Sequence, residues 1–326
     1  MSDRFLVASC AATFGVFSQE PVRRLEEAGC EVRINPYGRV LTSEEILRHA
    51  DDAEAIILGN DRLDAATLKR LPALRLIVRH GSGIDNIDFD EVSRRGIVVA
   101  NTPGANKEET ADLTFALILD LARMLTESIN QLREGVWNKI PGRSLYGKTI
   151  GIIGVGAIGM AVARRAMGFG MDIIGCDVIQ RDEAAHYGLL YTSLNDLLSV
   201  SDVVTIHAPL TSATRNLLGA REFRRMKDGA LLVNTARADI VRIAALEKAL
   251  LSGKLGGYAT DVYEHEPPTF SKAMELPNVL ATPHIGSATL ETNLHMGNMV
   301  ADNIIAFKDG FDPPNRMTYA DRVKYS

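Results

Sequence analysis

The 326-residue sequence has a single tryptophan, three cysteines and no long uninterrupted apolar run. Each scarcity excludes something. Cys10, Cys30 and Cys176 are scattered, odd in number and without CxxC spacing. They supply neither a disulfide framework nor a thiolate zinc site, and they suit a reducing compartment. No stretch approaches the roughly 20 apolar residues of a membrane-spanning helix. The opening MSDRFLVASC is apolar only from Phe5 to Ala8 before Cys10. That falls short of the roughly 7–15 residues of a signal-peptide core, so it reads as a first buried strand. A cytoplasmic protein with no membrane partner is expected. Basic charge is not in excess: 36 Lys+Arg stand against 41 Asp+Glu, a net charge of −5, with no basic stripe to offer a nucleic acid. Low-complexity tracts and short-period repeats are missing too.

What remains is an ordinary apolar content of 46%, enough for full cores, in a chain long enough for two domains. Short β-branched runs alternate with helical patterns. In the first third the strands are FLVAS (5–9), EVRIN (31–35), AIIL (55–58), RLIVR (75–79) and IVVA (97–100). SEEILRHA (43–50) and DAATLKRL (64–71) read as intervening helices, each opened by a Ser or Asp N-cap. That alternation predicts an α/β fold with a parallel, doubly wound sheet. A long helix follows from about Asn106 to Arg133. The alternation then restarts with KTIGIIG (148–154), MDIIGC (171–176), DVVTIH (202–207), ALLVN (230–234), YATDV (258–262) and VLAT (279–282). The final helix, from about Ser287 to Lys308, has an apolar face of Met296, Met299, Ala301, Ile304 and Ile305 that needs packing. Returning it to the first domain makes the chain cross twice. The expected domains are 1–103 with 287–326, and 104–286.

GVGAIG (154–159) follows an apolar strand and opens a helix. Gly154 permits the tight turn, Gly156 a close backbone approach and Gly159 close helix–strand packing; Ala157 and Ile158 begin the helix. The N–H groups of that first turn would receive a diphosphate. Asp177 ends the next strand, where an acid accepts from ribose hydroxyls and repels a 2′-phosphate. NAD is therefore expected over NADP, although Arg181 lies nearby. This makes the second domain a Rossmann dinucleotide domain.

Three further segments end strands of that domain: NTAR (234–237), DVYEHEPP (261–268) and TPHIGS (282–287). With GVGAIG, RHGSGIDNID (79–88) and NTPGAN (101–106), they make the chain resemble the D-isomer-specific 2-hydroxyacid dehydrogenases over nearly its whole length. The resemblance implies two doubly wound parallel-sheet domains, a flavodoxin-like substrate domain beside the Rossmann domain, with the active site in the cleft. It implies catalysis by Arg237, Glu266 and His284. His284 as imidazolium would protonate the C2 oxygen of a 2-keto acid as hydride arrives, and take the proton back in oxidation, an effect of about 10²–10⁴-fold. Glu266 would face the other ring nitrogen and hold the tautomer. Arg237 would bind the substrate carboxylate and polarise the C2 oxygen.

By the same resemblance Asp261 faces the nicotinamide carboxamide, and Ala208, Pro209, Thr235, Ala236, His284, Gly286 and Ser287 line the cofactor. The Ser82 and Gly83 N–H groups would form a nest for the substrate carboxylate. Arg79 resembles a substrate-side arginine, with a surface salt bridge as the other reading. Trp137 resembles a dimer-interface residue, and a homodimer is implied. His265 and Glu264 read as solvated bystanders, and no metal is expected because neighbouring side chains on an extended segment point apart. The implied substrates are small anionic 2-hydroxy or 2-keto acids of hydroxypyruvate, glyoxylate or phosphoglycerate type.

The chain departs from the family pattern in places. Ala238 and Asp239 replace a glycine pair, leaving open whether Asp239 tunes substrate choice or caps the next helix. Gly59 stands where phosphoglycerate enzymes carry an arginine, with Arg62 close by in sequence. Glu266 rather than Gln speaks against the formate dehydrogenase branch. Two rivals remain: a non-enzymatic NAD(H) sensor on the same fold, and a phosphite or formate oxidase.

Overall fold

The computed structural model describes residues 4–269 and 271–318. The chain divides into two compact units. One ends at Asn106 and resumes at Ala288; the other is Lys107–Ser287. The expected crossings at 103 and 287 thus lie within a few residues of these divisions.

The first unit holds strands β1 (Phe5–Ser9), β2 (Cys30–Arg33), β3 (Ala55–Leu58), β4 (Leu76–Arg79) and β5 (Val98–Ala100). They run parallel in the order β2-β1-β3-β4-β5, with the short strand Arg316–Met317 antiparallel on β5. β1, β3 and β4 are buried at every position, because helices cover both faces of a parallel sheet. One apolar cluster forms around Ile46, Leu68, Ile77 and Val92. The other forms around Val7, Leu25, Val78, Val300 and Ile304. The final helix, Leu290–Lys308, therefore packs in this unit, as its apolar face requires.

The Lys107–Ser287 unit holds β6 (Thr149–Ile153), β7 (Asp172–Cys176), β8 (Leu189–Tyr191), β9 (Val203–Ile206), β10 (Ala230–Asn234), β11 (Leu255–Thr260) and β12 (Val279–Ala281). Their order is β12-β11-β10-β9-β6-β7-β8, all parallel. The order reverses between β6 and β9, the switch point at which open α/β sheets bind ligands.

Three local expectations are corrected. The helix Ser43–Ala50 is capped by Thr42, not Ser43: Thr42 Oγ1 accepts from Glu45 N (3.3 Å) and the Glu45 carboxylate accepts from Thr42 N (2.9 Å). The long helix is broken into Lys107–Arg123 and Leu125–Arg133, with Met124 between them at φ +50°. The Asp120 carboxylate bridges the break, accepting from Thr126 N (2.8 Å) and from its hydroxyl (2.5 Å). Strand β8 adds a sheet edge that the sequence pattern did not announce, because it carries too few residues to show a period. Among the described residues no helix is long and apolar enough to cross a membrane. No cluster of His, Cys, Asp or Glu among them could hold a metal ion.

Candidate active site

β6 runs into the glycine loop and the helix Ala157–Gly168. Gly154 sits at φ +89°, and a Cβ there would lie 2.4 Å from Ala208 N. A Cβ on Gly159 would lie 2.2 Å from the Gly154 carbonyl oxygen. Both positions therefore exclude any side chain. Gly156 differs: a Cβ there would meet no protein atom within 4 Å. The fold itself therefore leaves room beside the Gly156 backbone, as a close ligand approach requires. Gly156 is also the N-cap of the helix and has no side chain to cap it. The first-turn N–H groups carry the positive end of the helix dipole. A dinucleotide's diphosphate fits this cradle.

Asp177 follows β7. Its Oδ2 accepts from Val155 N (2.6 Å) and its Oδ1 from Ile179 N (2.9 Å), so the carboxylate also braces the glycine loop. Arg181 Nη1 lies 3.7 Å from Asp177 Oδ2 and donates to the Val155 carbonyl (2.9 Å). Both charges thus stand at the edge of the loop.

The ends of β10, β11 and β12 carry the sequence-derived catalytic set. Asn234, buried at the end of β10, donates to the Arg237 carbonyl (2.9 Å) and accepts from Ala236 N (3.0 Å). This folds NTAR into a tight turn, within which Arg237 Nη1 donates to the Ala236 carbonyl (2.8 Å). Asp239 forms an ion pair with Arg215, and its carbonyl accepts from Asn216 N (2.7 Å). The next helix, Ile243–Leu251, is preceded by Arg242, so Asp239 does not cap it.

Asp261 is 1% exposed just past β11. Both of its oxygens are turned to its own unit. Oδ1 accepts from Thr282 Oγ1 and Ile285 N, and Oδ2 from Gly286 N, each at 2.7 Å. Burial pushes this carboxyl above its usual range, and the hydrogen bonds oppose that rise. Tyr263 adds a second tie, its hydroxyl donating to the Thr282 carbonyl (2.7 Å). The turn so clamped carries His284, a non-glycine residue at φ +54°. Such a backbone costs about 1–3 kcal/mol and persists only where its surroundings over-determine it.

His284 Nδ1 lies 2.6 Å from Glu266 Oε1, and the two side chains are 31% and 25% exposed. The Glu266–Pro267 peptide bond is cis. Glu264 and His265 point to solvent. Sequence reasoning therefore paired Glu266 with the histidine it contacts but missed what holds that histidine. Thr282 and Tyr263 stood inside the quoted motifs without a role.

His207 was also missed, though it ends the quoted strand DVVTIH. Its Nε2 lies 2.9 Å from Thr205 Oγ1, and burial drives its pKa down to about 3. Ala208 is buried, and the Pro209 carbonyl accepts from Thr214 Oγ1 (2.6 Å).

In the other unit, β4 ends in RHGSG. Arg79 is 7% exposed; Nη1 donates to the His80 carbonyl (2.6 Å) and Nη2 to Asn60 Oδ1 (2.8 Å). Gly81 exchanges hydrogen bonds with Thr102: its N–H donates to Thr102 Oγ1 (2.9 Å) and its carbonyl accepts from Thr102 N (3.1 Å). Asn101 Nδ2 donates to the Ser82 carbonyl (2.8 Å). The loop is thereby held by the Gly81 N–H and by carbonyls and hydroxyls, while the Ser82 and Gly83 N–H groups make no backbone–backbone hydrogen bond among the described residues. Gly59 belongs here for a packing reason, since a Cβ would lie 2.9 Å from Ala11 Cα. Arg62 is exposed.

The chain is similar to several known proteins. A family model described as D-isomer specific 2-hydroxyacid dehydrogenase, NAD binding domain, matches residues 115–286. A glyoxylate reductase of Korarchaeum cryptofilum is 44% identical over 279 residues, 83% of this chain and 84% of that protein. A D-3-phosphoglycerate dehydrogenase of Archaeoglobus fulgidus is 37% identical over 303 residues, 91% of this chain but 57% of that longer protein. Among solved structures, the TT0316 protein from Thermus thermophilus is similar with a TM-score of 0.88 at 36% identity, covering 96% of this chain and all of that one.

Proposed function

The chain belongs to the D-isomer-specific 2-hydroxyacid dehydrogenases and is an NAD-dependent oxidoreductase, and from that premise we propose that it reduces a small 2-keto acid of the glyoxylate type, with His284 as the proton donor. The observation that carries the mechanism is the 2.6 Å contact between His284 Nδ1 and Glu266 Oε1. An ionised carboxylate only accepts, so Nδ1 carries a proton and exchange with the substrate falls to Nε2. Bound NADH supplies the hydride. As charge gathers on the C2 oxygen, the imidazolium Nε2 gives it a proton, and Glu266 stabilises the cationic ring until then. In oxidation neutral Nε2 takes the proton back. Arg237 holds the substrate carboxylate and polarises the C2 oxygen, as a planar guanidinium suits. In the other unit the Ser82 and Gly83 N–H groups, with Arg79 bracing their loop, are assigned to anion binding. Gly154, Gly156, Ala157, Ile158, Gly159, Asp177, Ala208, Pro209, Thr235, Ala236, Gly286 and Ser287 are assigned to NAD.

The similarity to a protein named glyoxylate reductase supports a short substrate side chain. The test follows NADH absorbance with glyoxylate, hydroxypyruvate, pyruvate and phosphohydroxypyruvate. Glyoxylate or hydroxypyruvate should turn over fastest. NADH binding with no turnover across the panel would instead favour a sensor. The helix Leu125–Arg133 buries no residue and exposes Leu125, Ile129 and Leu132 on one face, beside Trp137 at 84% exposure. The reading covers this face with a second copy of the chain, which light scattering would register as twice the 35.5 kDa mass.

A further inference from the structure

Helix Lys107–Arg123 carries two buried threonines one turn apart, Thr110 and Thr114. Thr110 Oγ1 donates to the Gly286 carbonyl (3.1 Å). Gly286 N in turn donates to Asp261 Oδ2 (2.7 Å). This residue is thus held from both sides, two positions after His284. A Cβ on Gly286 would lie 3.1 Å from Asp261 Oδ2, so the clamp has no slack.

Thr114 serves another loop. Its Oγ1 donates to the Thr110 carbonyl (2.8 Å) and lies 3.1 Å from Thr235 Oγ1. A hydroxyl has one hydrogen. Thr114 spends its own on Thr110, so Thr235 must donate to Thr114. Thr235 then has no hydrogen left for His207 Nδ1, 3.5 Å away. That long contact requires the proton to sit on Nδ1. His207 is neutral, since burial holds its pKa at about 3, so Nε2 is bare and accepts from Thr205 Oγ1. The hydrogens run one way, from Thr205 through His207, Thr235 and Thr114 to the helix backbone.

We propose that Thr110 and Thr114 are positioning residues with divided duties. Thr110 fixes the turn that presents His284. Thr114 fixes the loop of Thr235 and Ala236 and, through it, His207 as the Nδ1–H tautomer beside Ala208 and Pro209. The division into proton transfer and cofactor binding rests on the proposed dehydrogenase reading; the direction of the hydrogen chain does not.

The experiment compares Thr110→Val and Thr114→Val, which keep the shape and delete the hydroxyl, with Thr110→Ser and Thr114→Ser, which keep the hydroxyl. Thr110→Val should lower kcat about tenfold with KM for NADH little changed, because a slightly misplaced acid loses rate rather than cofactor binding. Thr114→Val should raise KM for NADH about fivefold with a smaller effect on kcat. Each serine variant should recover most of its loss. Independently, the ¹⁵N spectrum of His207 in the wild-type protein should show the Nδ1–H tautomer, and Thr114→Val should shift it towards a mixture. An Nε2–H tautomer in the wild type would overturn the chain's direction even if a variant failed to fold. Valine variants with wild-type kinetics, losses falling on the same parameter in both, or serines that restore nothing would overturn the division of duties. If the wild type reduces no keto acid, the dehydrogenase reading fails while the tautomer and NADH titrations still test this one.

Discussion

In the unit that ends at Asn106 and resumes at Ala288, the strand-end loops are shaped by amides, hydroxyls and backbone, with Arg79 bracing the loop after β4. Gly81 pairs with Thr102, Asn101 holds Ser82, and buried Asn303 donates to the Met299 carbonyl (2.7 Å) while accepting from Asn315 N (2.9 Å). In the Lys107–Ser287 unit the strand ends carry Asp177, Arg237, Asp261, Glu266 and His284 instead. Both units are doubly wound parallel sheets with fully buried central strands. The sheets are equivalent solutions to burying apolar surface, and they leave the carboxyl-end loops free to differ. In the proposed function one unit uses that freedom for an anion nest, the other for groups that move protons.

The sharpest break of this contrast is His284→Ala. Loss of the general acid should lower kcat/KM by about 10²–10⁴-fold, with NADH binding measured by fluorescence titration retained. Unchanged turnover would sink the mechanism. A smaller break targets the other unit. Thr102→Val removes the acceptor of Gly81 N and loosens the nest without touching an ionisable group. KM for the keto acid should rise about tenfold, with kcat within about twofold of wild type. If kcat fell as much as KM rose, recognition and chemistry would not be separable by unit.

Much of this was legible in the sequence for a physical reason. Parallel central strands are buried on both faces, so AIIL, LIVR and ALLVN announce themselves as apolar runs. GVGAIG is local as well: strand, turn and helix lie within a dozen residues. The Met124 break was not legible, because no glycine or proline interrupts residues 107–133. What ends the helix is Asp120 reaching Thr126 across the gap. Asp261 shows the same limit at the site. The resemblance implied a cofactor contact for it, but not that its oxygens accept from Thr282, Ile285 and Gly286, more than twenty residues on. His207 and the threonines beneath it gave no motif, since each is defined only by which loops the fold brings to one helix.

The smallest expected effect again compares the two units, through one desolvated histidine in each. His80, 7% exposed after β4, is driven to about 3 by burial and then by Arg79, and its Nε2 has no hydrogen-bond partner among the described residues. His207 is driven to about 3 by burial alone. Both fold neutral, whereas the unfolded chain takes up a proton below the ordinary value of 6.5. Their share of stability is therefore complete above pH 6.5 and drains as pH falls towards 3, at up to about 1.4 kcal/mol per pH unit for each ring. His207 keeps part of its surface accessible, which should soften its loss relative to His80. Melting temperatures at pH 7.5 and pH 5 should show His80→Gln flattening the acid decline more than His207→Asn does. Equal slopes in wild type and both variants would mean that other groups govern acid sensitivity, and that the two rings are not the matched pair their burial implies.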